Sequence, residues 1–319
     1  MKNNEKISET LQIIANILYI NQHKIRYIGL LNGKMGVAIY LYHYARYSGC
    51  NVYEELADDY IDDIINNKTD ARHPNFPGGI SGLAWGFNYL IENNYIEIED
   101  NMVLDDLDSY LFNNISIKIS NPFLNNFTLF GNGLYYTSKI KRQAINEKNM
   151  IAIETLLEKC QIIIKDCKEN FIFDIKYFNS LLYFLTEIAK NFPIKKKTVS
   201  RLLSDISNIL LKQTDYSIYN DEDIYILQKN IEQVCLLTSK KDKWNQIQLK
   251  LPNRPLSVLT CFNWQNFIYF SFNNMQIDDF LLDEIEDFIE QKLDYLLDTD
   301  FVLSGTLLNI GIGLLRNVQ

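Results

Sequence analysis

Apolar positions recur at helical spacing through most of this chain, and successive segments differ in how much of the helix surface they cover. Leu11, Ile14, Ala15 and Leu18 predict an opening helix over 8–20. The segment over 33–47 is apolar on nearly every side, which predicts a helix surrounded by protein. Over 52–67 the pattern changes. Leu56, Ala57, Tyr60, Ile61, Ile64 and Ile65 form one stripe, opposite Glu54, Glu55, Asp58, Asp59, Asp62 and Asp63. That helix has a wet face. The pair then repeats: 81–92 reads as enclosed, and 102–115 as amphipathic with an acidic face at Asp105, Asp106 and Asp108.

A third, shorter apolar segment closes at 137–141, and 150–167 follows with a stripe at Ile153, Leu156, Leu157, Cys160, Ile163 and Ile164. Further on, 177–191 is mostly apolar, 198–212 amphipathic, 224–237 apolar enough to be inner, and 277–297 amphipathic with an acidic face. Asn253-Arg254-Pro255 interrupts the region between, where 260–272 is aromatic enough to suit strand or helix, leaving an inserted hairpin near 262–272 as an open alternative. Alternation of an enclosed helix with an amphipathic one is what two concentric layers require, since only the outer layer meets bulk water.

Glycines punctuate this pattern. Gly29-Leu30-Leu31-Asn32-Gly33-Lys34-Met35-Gly36 runs into the apolar segment 37–45. Three stretches replay it: Pro77-Gly78-Gly79-Ile80-Ser81-Gly82-Leu83-Ala84-Trp85-Gly86, Phe130-Gly131-Asn132-Gly133-Leu134-Tyr135, and Ser304-Gly305 through Gly311-Ile312-Gly313. Each predicts a loop with close glycines and then a helix. Gly36, Gly82 and Gly133 are about 50 residues apart, the scale of a helix-pair repeat, and about four more units separate Gly133 from Gly311. Three glycine-poor pairs fit in that interval, for seven in all. The expected fold is therefore all-α, an (α/α)7 double-layer toroid formed by residues 1–319 as a single domain. Its first and last pairs would meet and so replace the caps that an open solenoid needs. The loops are not phosphate cradles, because they lack a Gly-Lys-Ser/Thr ending and follow no predicted parallel strand.

Apolar residues make up 47% and charged residues 22% of the 319 positions, enough for a sizeable core. A net charge of −9 argues against nucleic acid or anionic membrane as the main partner, since phosphate-binding surfaces need clustered Lys and Arg. Lys195-Lys196-Lys197, the longest basic run, reads as the solvated start of a helix. No apolar run approaches the roughly 20 residues that span a bilayer, and no signal segment stands out, so a cytoplasmic location is expected. The five cysteines are odd in number and widely spaced, which suits reduced thiols.

The stretches at 29–40, 76–93 and 303–315 resemble the repeats of the lanthionine synthetase C-like family. That resemblance implies an (α/α)7 toroid. It also implies a cyclase that adds a peptide thiol to a dehydrated residue, using zinc held by two Cys and one His, the second Cys and the His lying in a Cys-His-Gly motif. Here the sequence departs from the family. Its three histidines, His23, His43 and His73, all precede residue 74, none has a cysteine beside it, and neither Cys235 nor Cys261 is followed by His-Gly. No metal ligand transfers to any position, and no cofactor is expected. His43 and Cys50 are separated by Gly49, expected to end their helix, and Cys160 with Cys167 reads as core.

Residues at the ends of inner helices are the ones placed to line a cavity mouth: Asn32, Lys34, His73, Asn75, Ser81, Trp85, Asn132, Tyr135 and Asn309. Each has loop capping as its competing role. The reading is a toroid without zinc or cyclase activity that binds a peptide substrate, or partners a modification enzyme, during maturation of a ribosomally made peptide. Two alternatives stand beside it: a carbohydrate-active hydrolase or lyase on the same architecture, which needs two inward carboxylates, and a cyclase with a metal site of another kind. Paired acids such as Asp58-Asp59, Asp62-Asp63 and Asp105-Asp106 fall on wet faces and do not face each other.

Overall fold

The helical periodicity is realised in a computed structural model that describes residues 2–31, 33–68, 73, 75–97, 102–115, 126–142, 146–170, 173–238, 241–253, 277, 279–298 and 302–318. Among these residues there are thirteen α-helices and no strand. They are α1 (Lys2–Ile20), α2 (Lys34–Ser48), α3 (Asn51–Asn66), α4 (Ile80–Glu92), α5 (Met102–Ile115), α6 (Asn126–Arg142) and α7 (Glu147–Asn170). There follow α8 (Ile175–Asn191), α9 (Lys196–Lys212), α10 (Asp221–Leu237), α11 (Asp242–Lys250), α12 (Asp279–Asp298) and α13 (Val302–Val318). None of the described helices is long and apolar enough to cross a membrane. The ambiguous segment 260–272 lies outside the described residues.

The chain forms two compact units, one of Met1–Leu107 with Leu256–Gln319 and one of Asp108–Pro255. In the first, α2 is buried on all sides from Met35 to Ala45, as its unbroken apolar run requires. It stops at Gly49, whose φ of +71° is a left-handed turn that residues with a Cβ adopt at a cost, and whose amide donates to the Ala45 carbonyl at 2.8 Å. The chain then turns back into α3. This helix buries Leu56, Ala57, Tyr60, Ile61 and Ile64 against α2 and leaves Asp58, Asp59 and Asp62 exposed. Helix α13 packs on both α1 and α2, bringing the two ends of the described chain together in this unit. Lys6 on α1 pairs with Asp283 and, at 3.0 Å, Glu286 on α12.

The second unit is built around α8, buried at nearly every position from Ile175 to Ile188 and packed against α6, α9 and α10. Asp174 caps it, accepting from the amides of Lys176 and Tyr177 at 3.0 and 3.3 Å. Asn179 donates to the Asp223 carbonyl at 2.9 Å, and Asn230 donates to the Asn179 carbonyl at 3.0 Å. These bonds pin α8 to α10. Cys160 and Cys167 are buried on α7, and burial pushes their thiols up to about 12 and about 11, so both behave as small core residues.

Two expectations are corrected. The glycines at 131 and 133, and those at 305, 311 and 313, lie inside α6 and α13 and not in loops before a helix. A side chain at Gly133 would strike the Phe184 ring and one at Gly311 the Tyr40 ring, so here glycine makes room for a neighbouring aromatic. Asp108 does not belong to the wet acidic face of α5: it is buried, while Asp105 and Asp106 are exposed.

Candidate functional site

The first two glycine stretches form one structural motif built twice. The Lys34 amide donates to the Tyr27 carbonyl at 2.8 Å, and the Ile80 amide, 46 positions on, donates to the His73 carbonyl at 3.0 Å. The next bonds match as well: Val37 to Gly33 and Leu83 to Gly79, both 3.2 Å. A Cβ at Gly36 would lie 2.0 Å from the Leu30 carbonyl oxygen, and one at Gly82 would lie 2.0 Å from the Phe76 carbonyl oxygen. Thus the same glycine lets the same preceding carbonyl sit against the first turn of each inner helix. The two glycine loops also touch. The Leu31 amide donates to the Pro77 carbonyl at 2.8 Å, and a side chain at Gly29 would meet the Gly78 Cα at 2.5 Å.

The predicted mouth residues are distributed over this frame unevenly. Lys34 opens α2 and pairs with Asp63 at 2.6 Å, beside a pocket of about 400 Å³ lined also by Gln22, His23, Arg26 and Asn67. His73 is exposed and contributes its carbonyl to the second glycine loop, and the Asn75 side chain accepts from the Gly78 amide at 3.0 Å. Both shape that loop. Ser81 and Asn309 are buried within α4 and α13. Trp85 is buried with its ring stacked on Tyr89, centroids 5.2 Å apart, and edge-on to Phe76. Asn132 and Tyr135 belong to the other unit, and Asn32 lies outside the described residues.

Beneath Trp85 the first unit holds a polar cluster. His43, buried in α2, has Nε2 at 2.7 Å from the Tyr89 hydroxyl and Nδ1 at 2.8 Å from the Tyr95 hydroxyl. Arg316 on α13 donates to the Tyr89 oxygen at 3.3 Å, and the Arg46 guanidinium lies 3.8 Å from the Tyr95 ring centre. Burial first, then the charges of Arg316 and Arg46, lower the imidazole to about 3. His43 is thus a neutral ring. A neutral imidazole donates from one nitrogen and accepts at the other, so one phenol donates a hydrogen bond to it and the other accepts one. With both nitrogens engaged, the ring has no lone pair left for a metal.

In the second unit Asp108 is the centre. Lys139 reaches one carboxylate oxygen at 2.8 Å and Lys148 the other at 2.6 Å, while the Tyr135 hydroxyl donates at 3.1 Å. Burial opposes the charged form of Asp108, but hydrogen bonds from Lys139 and then Lys148 outweigh it and hold the carboxyl below its usual range. Asn132, Tyr135, Tyr136 and Lys139 recur at three- and four-residue spacing on one face of α6. Tyr135 is thereby drawn into an ion cluster, and Asn132 is buried in the same unit. A carboxylate clamped by two ammoniums is poorly placed to supply a proton, as a glycosidase acid must.

The helix register carries a signal for Asp108 that charge alone obscures. Leu104, Leu107, Asp108, Leu111 and Ile115 form one buried stripe, and the aspartate stands in it. For His43 no local signal exists, because its partners lie 46 and 52 residues away. Among the described residues no group of three His, Cys, Asp or Glu is placed to hold a metal ion, and Cys261 lies outside them. No protein-family model, curated protein or solved structure matches the chain.

Proposed function

We propose that this chain is a seven-pair α/α toroid of the lanthionine synthetase C-like kind that binds a peptide without thiol-activating zinc, serving as a binding or scaffold partner in maturation of a ribosomally made peptide. One observation carries the reading: the glycine loop is built twice with the same hydrogen bonds and the same close carbonyl, 46 residues apart. A repeat that reproduces its backbone contacts supports a helix-pair architecture, and the packing of α13 on α1 and α2 supports a frame whose ends meet. The engagement of His43 by two phenols, and the lack of any Cys-His-Gly, support the loss of the cyclase reaction.

The test uses full-length protein purified without a histidine tag. Its zinc content is measured, and it is then incubated with a peptide carrying one cysteine and one dehydroalanine while free thiol is titrated. The expected result is sub-stoichiometric zinc and thiol loss no faster than in buffer. Stoichiometric zinc together with accelerated thiol loss overturns the reading.

A further inference from the structure

The second unit carries a groove of about 1250 Å³ where the start of α9, the turn Pro193–Lys195 and the start of α11 come together. Its accessible apolar surface comes from Pro193, Leu237 and Ile194, the last 80% exposed, over a floor of Val199, Leu203 and Trp244 that is itself buried. Lys196, Lys197, Arg201 and Lys243 also line it, all four exposed to solvent. These charges are left unneutralised. Among the described residues Lys196 and Lys197 have no ion-pair partner, Arg201 is held by the Gln161 amide at 3.0 Å, and Lys243 by the Asn208 amide at 2.7 Å. Of the two carboxylates at the groove, Asp205 is already 3.4 Å from Lys168.

This arrangement breaks a local rule. The first turn of α9 holds lysines and no acid, and Lys195 at the cap makes no side-chain hydrogen bond to it, although a helix start favours negative charge. Positive side chains on the positive end of a helix destabilise it slightly, unless something anionic binds there. In a chain of net charge −9, a cationic lip over apolar side chains is a local exception. Nucleic acid would leave the apolar surface unused. An extended peptide alternating acidic and apolar residues satisfies both, because successive side chains of an extended chain point to opposite sides.

We infer that the groove between the starts of α9 and α11 is a docking site for an extended peptide segment bearing acidic and apolar residues. It rests on the proposed peptide-binding function only for the class of ligand. Zinc content and thiol loss test that function alone, so the two can fail separately.

The probe is a fluorescein-labelled peptide of alternating Glu and Leu, titrated with full-length protein by fluorescence anisotropy. An alternating Lys and Leu peptide and a labelled oligothymidylate serve as comparators. The Glu–Leu peptide should bind best, and more weakly as salt screens the lysines. Lys196→Glu with Lys197→Glu should weaken it about tenfold or more, because like charges are brought against the ligand. Lys176→Glu, an exposed reversal at the start of α8 and so at the opposite end of that helix from the groove, should leave binding unchanged. Thermal melts establish that both variants fold, and Lys196→Ala with Lys197→Ala gives the charge loss without the reversal. The inference is overturned by absent binding of the Glu–Leu peptide, by equal binding of the Lys–Leu peptide or tighter binding of oligothymidylate, or by a folded double-Glu variant with wild-type affinity.

Discussion

Replacing Gly82 by alanine asks whether the repeated glycine loop is as tight as its geometry indicates. The added carbon would stand 2.0 Å from the Phe76 carbonyl oxygen and 3.0 Å from the Leu30 Cβ, against the 3.4 Å at which ordinary contact begins. The carbonyl therefore has to retreat by roughly 1.4 Å, a displacement of backbone and not of a flexible side-chain tip. It has little freedom, since the same loop is bonded at His73 and at Pro77. Overpacking of this severity costs about 3 kcal/mol, and alanine's better helix propensity returns about 1, for a net loss of about 2 kcal/mol. In a unit of this size the midpoint should fall by roughly 4–8 °C. Circular dichroism at the helical band measures it. Gly36→Ala, with the same 2.0 Å approach to Leu30 and a further contact with Leu308, should fall at least as far. Gly78→Ala is the control: nothing lies within 4 Å of its added carbon, and it should match wild type or gain about 0.4–1 kcal/mol through a stiffer unfolded chain. If Gly82→Ala melts with wild type, or Gly78→Ala falls as far as Gly82→Ala, the packing argument is wrong.

Further outcomes follow from the polar groups of both units. His43 has its folded pKa lowered to about 3 from 6.5, so the unfolded chain takes up a proton first as pH falls. Stability linked to this group is complete above about pH 6.5 and is lost progressively toward pH 3. Its ring proton resonances should show no titration between pH 8 and pH 5, and a midpoint near 6.5 would refute the placement. Asp108 is also lowered, but for a carboxyl this favours the charged form: its contribution is present above its unfolded value of 3.8 and is lost as pH falls below that. Asp108→Asn leaves two lysines without their counter-ion and should cost about 3 kcal/mol in urea unfolding, the low end for a buried pair because Lys148 is partly exposed. Lys34→Ala removes an ion pair open to solvent on the aspartate side and should cost about 1 kcal/mol or less in the same assay.

The helices are legible in the sequence because burial and periodicity agree. The stripe on α3 and the enclosed run of α2 match the structure nearly residue by residue, and Gly49 ends α2 as its position between helix and polar turn implies. Glycine and charge are poorer local signals. Gly133 and Gly311 sit mid-helix because rings of Phe184 and Tyr40 occupy the space beside them, and no pattern around a glycine reveals its partner. Asp108 resembles its exposed neighbours in charge, although its helical register places it among leucines. The mouth residues divide along the same line. His73 and Asn75 have roles within the loop itself and Trp85 stacks on Tyr89 of its own helix, whereas Tyr135 depends on Asp108 of α5, 27 positions back.

The union of α1, α2 and α13 in one unit bears on how the protein is made. Lys6 meets α12 277 positions later, and the cleft beside Gly36 is filled by Leu308. During synthesis α2, buried from Met35 to Ala45 in the folded unit, leaves the ribosome long before α13 exists to cover it, while the unit of Asp108–Pro255 is already complete in sequence. The first unit to emerge is thus the last to close, and for that interval its exposed surface is a natural client for chaperones.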